Sequence, residues 1–226
     1  MMPYTHPLKA TELWFHGTTH HFDAWENPPT ATLSQQVFPH SFISLSSDIE
    51  YAKLHQGLHG NICAAMLSST AKILDLRIES ADSLLLYQKI KSDHLGAQYY
   101  GLAFYSEWLA ACQAGSILRF IFRSEQDHPE LFAQQEIARK SLNEKTVSAA
   151  VIYIRNFTRR WIETLIGPAK KMGYDAVICN ELERSLHTTA STQLFVFNPE
   201  CLSAPNWEVP GYKLDSVQGI KGADEL

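Results

Sequence analysis

The chain has 226 residues, 45% of them apolar and 11% aromatic against 19% charged, which excludes intrinsic disorder and suits one large domain or two small ones. Its net charge of −5 excludes a polycation built to grip nucleic acid. No apolar run approaches the roughly 18 residues that a membrane-spanning helix needs, so no membrane partner is expected.

Met1 to Lys9 lacks a basic region followed by an apolar stretch, so no cleavable secretory signal is expected. The first strand is predicted at Glu12-Leu13-Trp14-Phe15-His16, stopped by Gly17-Thr18-Thr19. A loop rich in Pro and Thr follows at 27–32, a suitable place for a flexible element over a site. Residues 41–46 alternate polar and apolar and predict a second strand. Ser47-Asp48-Ile49-Glu50 has the S-x-x-E form of a capping box and opens a helix to about Gln56. Short strands are expected at 61–67 and 73–76. From 79 to 171 apolar residues recur at helical spacing, in segments 83–90, 101–114, 129–141 and 147–171. Strand patterns return at 173–179 and 193–197, the last closed by Asn198-Pro199. The expected fold class is α+β, one domain over 1–226 with a large helical insertion at about 79–171, not a regular βαβ repeat.

Charge is unevenly spread. Between Arg139 and Lys171 eight basic residues face two acidic ones, about +6 in that segment and about −11 elsewhere. A solvated helix face is the simpler reading; docking to an acidic partner is the other. The cysteines, Cys63, Cys112, Cys179 and Cys201, form no CxxC pair and read as reduced, packed thiols of a cytosol-like compartment. The last four residues, Ala223 to Leu226, resemble an endoplasmic-reticulum retrieval tail, which without a secretory signal is taken as chance. His55 and His59 have helical i, i+4 spacing, but Gly57 interrupts the helix and no acid stands nearby, so no metal site is expected.

The common nucleotide, hydrolase and metalloprotease motifs are absent. Three scattered fragments remain: Leu13-Trp14-Phe15-His16-Gly17-Thr18, Phe42-Ile43-Ser44-Leu45-Ser46 with its capped helix through Ala52, and Gly173-Tyr174-Asp175-Ala176-Val177-Ile178 leading to Gln193-Leu194-Phe195-Val196-Phe197-Asn198-Pro199. In this order they resemble the ADP-ribosyltransferase fold, with its L-x-x-H-G-T, F-x-S-x-S and G-Y-D-x-V-I pieces. The resemblance covers about 12–77 and 173–203 and leaves the helical block unexplained.

It implies a split β-sheet core and a mono-ADP-ribosyltransferase that uses NAD as substrate and modifies a macromolecular acceptor, a protein before a nucleic acid. A bacterial toxin or effector would fit, cytoplasmic or delivered to a host cell. By the same resemblance His16 would bond the adenosine ribose, the Gly17 backbone the nicotinamide carboxamide, and Ser44 the amide or the catalytic residue. Thr18 completes the first cofactor-binding turn, and Phe42 and Tyr51 are the aromatic rings nearest the positions where relatives stack tyrosines on nicotinamide. Those positions themselves carry Ile43 and Leu54 or His55. The catalytic position falls on Gln193, beside His16, where relatives carry Glu. A carboxylate there would stabilise the oxocarbenium-like ribose; Gln keeps the hydrogen bond and loses the charge. Glu181 and Glu183, in the loop expected before Gln193, either reach the site or are solvated loop acids, the simpler reading. The alternatives are a non-catalytic NAD-binding or interaction module of the same fold, an NAD hydrolase, or a relative that processes an RNA 2′-phosphate.

Overall fold

The computed structural model describes residues 12–26, 41–56, 60–92, 116–118, 133–134, 136–137, 140–182 and 189–209. Ten regular elements follow in chain order among them: β1 (Trp14–Thr18), β2 (Ile43–Ser46), α1 (Ile49–Lys53), β3 (Asn61–Ala65), β4 (Ile73–Asp75), α2 (Ala81–Ser92), β5 (Ser116–Leu118), α3 (Glu144–Lys171), β6 (Ala176–Leu182) and β7 (Thr189–Val196). The strands form one mixed sheet in the order β3-β1-β2-β7-β6-β4. β5 also pairs with β6, end to end with β4 along the same edge: β4 takes Ala176 to Ile178 in parallel, and β5 takes Asn180 to Leu182. The other pairings are antiparallel.

Alternation along the strands sends apolar side chains to both faces. One face is a core of Trp14, Ile43, Leu45, Ala65, Ala176, Ile178, Leu194 and Val196, closed by Cys201 and Trp25 from the flanking segments. On the other face Leu13, Phe15, Ile62 and Ala64 pack with Ala52 and Ile49 of α1. α1 lies against β1, β2 and β3, while α2 packs on β4 and on α3, and α3 on β6.

Two corrections to the sequence reading bear on the site. The stretch from 79 to 171 is not a purely helical insertion, since β5 lies inside it and is hydrogen-bonded into the main sheet. α3 belongs to the same body: its Ala150, Ile162 and Ala169 are buried, and the Glu163 carboxylate accepts from Ser41 N at 2.6 Å and Ser41 Oγ at 2.7 Å. The helix begins three residues earlier than the apolar spacing suggests, because Asn143 Oδ1 caps it by accepting from the amides of Lys145 and Thr146. The other correction concerns α1, whose N-cap is Asp48, accepting from Glu50 N at 2.8 Å, not Ser47. α1 also ends at Lys53, where tighter i to i−3 bonds carry the chain on to Gln56. The predicted loop at 27–32 and helix at 101–114 lie outside the described residues, as do His59, Cys112 and Glu183. No helix among the described residues is long and apolar enough to cross a membrane.

The Gly173-Tyr174-Asp175 segment has structural duties. Gly173 has φ +84°, the left-handed turn that stops α3. The Tyr174 hydroxyl donates to Asp82 of α2, and burial together with that carboxylate pushes its pKa up. Asp175 accepts from Lys72 N at 2.8 Å and from Asn198 Nδ2 at 3.0 Å, tying the β4, β6 and β7 ends together.

Candidate functional site

β1 meets β2 at a single register pair, Phe15 opposite Ser46, although it runs for five residues against β3. Beyond that pair the His16 ring bridges the two strands, its Nδ1 lying 2.8 Å from the carbonyl oxygen of Ser44. A carbonyl can only accept, so Nδ1 carries the proton. In the neutral ring Nε2 is then left with a lone pair. Burial lowers the His16 pKa, opposed in part by the Ser44 carbonyl. Phe22 and Trp25 meet the ring edge-on, with centroids at 6.2 and 5.7 Å. Both indoles nearby are anchored: Trp25 Nε1 donates to Ser203 O at 2.9 Å and Trp207 Nε1 to Phe22 O at 3.1 Å.

On the face of the sheet that α1 covers lies a polar strip. Among the described residues the buried polar or charged ones are Ser46 (3% exposed), Glu181 (5%), Ser191 (5%) and Gln193 (3%). All four lie at neighbouring positions of three adjacent strands: Ser46 is opposite Gln193, Gln193 opposite Cys179, and Ser191 opposite Glu181. The hydroxyls of Ser46 and Ser191 are hydrogen-bonded at 2.6 Å, and Ser44 Oγ donates to Gln193 Oε1 at 3.3 Å. Gln193 Nε2 is buried with no hydrogen-bond partner. An unsatisfied buried donor costs about 1–3 kcal/mol, so a fold retains one where a ligand completes it or where it is not free to move away.

The three sequence fragments are therefore linked, His16 to the backbone of Ser44 and the Ser44 side chain to Gln193, but strand alternation sets the His16 ring on the Trp14 face of the sheet and the Ser44 and Gln193 side chains on the other. Other expected site residues stand differently. Phe42 is a core ring, buried edge-on against Phe195 at 4.8 Å, and Ile43 belongs to the opposite core. Tyr51 and His55 are neighbours on and just after α1, with rings 5.2 Å apart, and Leu54 is exposed. Thr18 Oγ1 accepts from His20 N at 3.2 Å. At Gly17 an added Cβ would lie 2.1 Å from Ala52 O, so glycine is required there for the approach of α1 to β1, whatever else the backbone does. Glu181 corrects the reading of a solvated loop acid: β6 continues through Leu182, and Glu181 is a buried strand residue. A sequence signal for it existed, since Glu181 extends the alternation of Val177 and Cys179, but the polar residues after Cys179 read as loop.

Cys63, Cys179 and Cys201 are buried and stand in no disulfide. Burial pushes the pKa of Cys63 up to about 12, and its Sγ contacts His16 O at 3.8 Å, so it serves as packing behind the histidine. Comparison with protein-family models, with curated proteins and with solved structures finds no match to this chain.

Proposed function

We propose that the chain is an NAD-dependent mono-ADP-ribosyltransferase, cleaving NAD and passing ADP-ribose to a macromolecular acceptor. The observation that carries this reading is the linked run from His16 through Ser44 to Gln193, which joins fragments far apart in sequence at the place where β1 parts from β2. The chemistry of those groups suits the substrate. A neutral His16 offers Nε2 as an acceptor for a ribose hydroxyl, and Gln193 Nε2 is a donor without a protein partner. The acceptor is proposed to be a protein that docks on the basic α3 segment, whose Lys145, Lys170 and Lys171 are exposed.

The test is incubation of the protein with labelled NAD and cell lysate, scoring labelled protein, labelled nucleic acid and free nicotinamide separately. Label in protein is expected, with His16→Ala weakening NAD binding by about 1–3 kcal/mol in calorimetry. Equal affinity in wild type and mutant would remove His16 from the site. A second reading, an NAD-binding module without catalysis, is favoured by the uncharged Gln193. Its signature is NAD binding with no nicotinamide released.

A further inference from the structure

We propose that Trp25 and Trp207 are positioning residues for His16: together they form a clasp that holds the imidazole in the one orientation that leaves Nε2 free to accept from a ligand hydroxyl. The ligand part of this rests on the NAD reading above. The bonds of the clasp are reciprocal. Trp25 lies in the segment after β1, and its indole donates to Ser203 O at 2.9 Å; Trp207 lies in the segment that contains Ser203, and its indole donates back to Phe22 O at 3.1 Å. Phe22 stands edge-on to both indoles, 4.9 Å from Trp25 and 5.2 Å from Trp207, and His21 stacks on Trp207 at 4.2 Å.

Residues 20–26 belong to no helix or strand, so these bonds take the place of a ladder. Their other end is firmly seated. Asn206 exchanges both main-chain bonds with Ala64 at 2.8 Å, and Ser203 N donates to Met66 O at 2.8 Å, so the 203–207 segment runs along the outer edge of β3. Trp25 also packs against the core that contains Trp14. The clasp thus carries Phe22 and Trp25, the two rings that meet His16, on backbone tied to the sheet.

A histidine needs such support here. Rotation about its second side-chain torsion is soft and roughly two-fold, and a half-turn would set Cδ2 against Ser44 O and Cε1 where Nε2 stands. One neutral hydrogen bond, competing with water, favours the observed orientation only about three- to tenfold. Rings set edge-on against the imidazole obstruct that half-turn and keep water from the Ser44 bond. Residue 16 nevertheless stays only half-buried, unlike the enclosed Gln193. The titratable side chains of β3 and of the two clasp segments are Cys63, a neutral thiol, and the exposed His20, His21, Asp23, Glu26 and Glu208; β2 has none. The lowered His16 pKa comes from burial and not from those charges.

The experiment compares wild type, Trp25→Phe and Trp207→Phe in the full chain; each substitution keeps a ring and removes the indole donor. Nitrogen-15 NMR of the imidazoles reads tautomer and titration, with His16→Gln identifying the His16 signals. Thermal melting checks the fold, and calorimetry reads NAD binding. Wild type should show His16 as the Nδ1–H tautomer, titrating below the ordinary range. Each variant should mix in the Nε2–H form, bring the titration back toward its ordinary value, and weaken NAD binding about three- to tenfold. Trp207→Phe is the sharper test, because Trp207 acts on His16 through Phe22, and it decides alone should Trp25→Phe fail to fold. An unchanged His16 tautomer and titration in folded Trp207→Phe overturns the proposal, as does a changed ring with unchanged NAD affinity. A wild type that binds no NAD, with variants that alter the His16 ring as expected, overturns the NAD reading and leaves the clasp standing.

Discussion

His16 does two jobs with one ring. Its Nδ1–H closes a gap between strands by bonding Ser44 O, and its neutrality depends on burial, which lowers its pKa from 6.5. The linkage to stability has a definite sign. The unfolded chain takes up a proton as the pH falls through about 6.5, and the folded site resists that proton until a lower pH. His16 therefore costs nothing above that value and destabilises the fold progressively as the pH drops below it, until the folded ring also titrates. Urea unfolding at about pH 7.5 and about pH 5.5 should show a larger loss of stability in wild type than in His16→Gln. Equal losses would mean that the ring titrates freely. For the Cys63 thiol, raised to about 12, no thiolate forms near neutrality, so alkylating reagents should leave it untouched in the native protein.

At the scale of elements, glycine is required at Gly17 where α1 approaches β1 and at Gly60 where Gln56, just after α1, comes close. A Cβ at Gly17 would meet Ala52 O at 2.1 Å, and one at Gly60 would meet Gln56 O at 1.5 Å. Both clashes are with backbone, which a side-chain rotation does not relieve. Gly17→Ala is expected to destabilise the protein by about 1–3 kcal/mol in urea unfolding, and a change below about 0.5 kcal/mol would show that α1 yields easily. The sequence made several elements legible for plain physical reasons. Alternation marked β2, the Trp14 to His16 run marked the first part of β1, which continues through the Gly17 and Thr18 expected to stop it, and the amphipathic spacing of 147–171 marked most of α3. It concealed those whose pattern is set by partners. β5 is three residues long and acquires its identity only from pairing with β6, and the polar end of β6 resembles a loop until Ser191 and Thr192 of β7 lie opposite it. Of the candidate site, the order of fragments was legible and the buried acid was not. Gln193, Ser44 and His16 stand in the motifs, whereas Glu181 comes beside Ser191 and near Gln193 through strand register alone.

For the whole molecule, the integration of the 79–171 segment has a direct experimental meaning. It donates β5 to the sheet, packs α3 on β6, and fixes Ser41 through Glu163. Replacing 79–171 with a short linker is therefore expected to abolish the cooperative unfolding transition, monitored by near-ultraviolet circular dichroism. A folded remainder with a sharp transition would show the segment to be dispensable after all. The meeting of β1 with β2 carries a different lesson. A sheet with one weak joint behaves as two stiff leaves on a hinge: β3 and β1 on one side, and β2, β7 and β6 with β4 and β5, each paired to β6, on the other. Opening such a joint breaks few main-chain bonds, so its local free energy lies well below that of global unfolding. In native-state hydrogen exchange the amides of β1 and β2 that border the joint should exchange sooner than those of β6 and β7, which are paired along seven register positions. Ligand that spans the leaves would slow exchange there first, and the imidazole of His16 would be the latch.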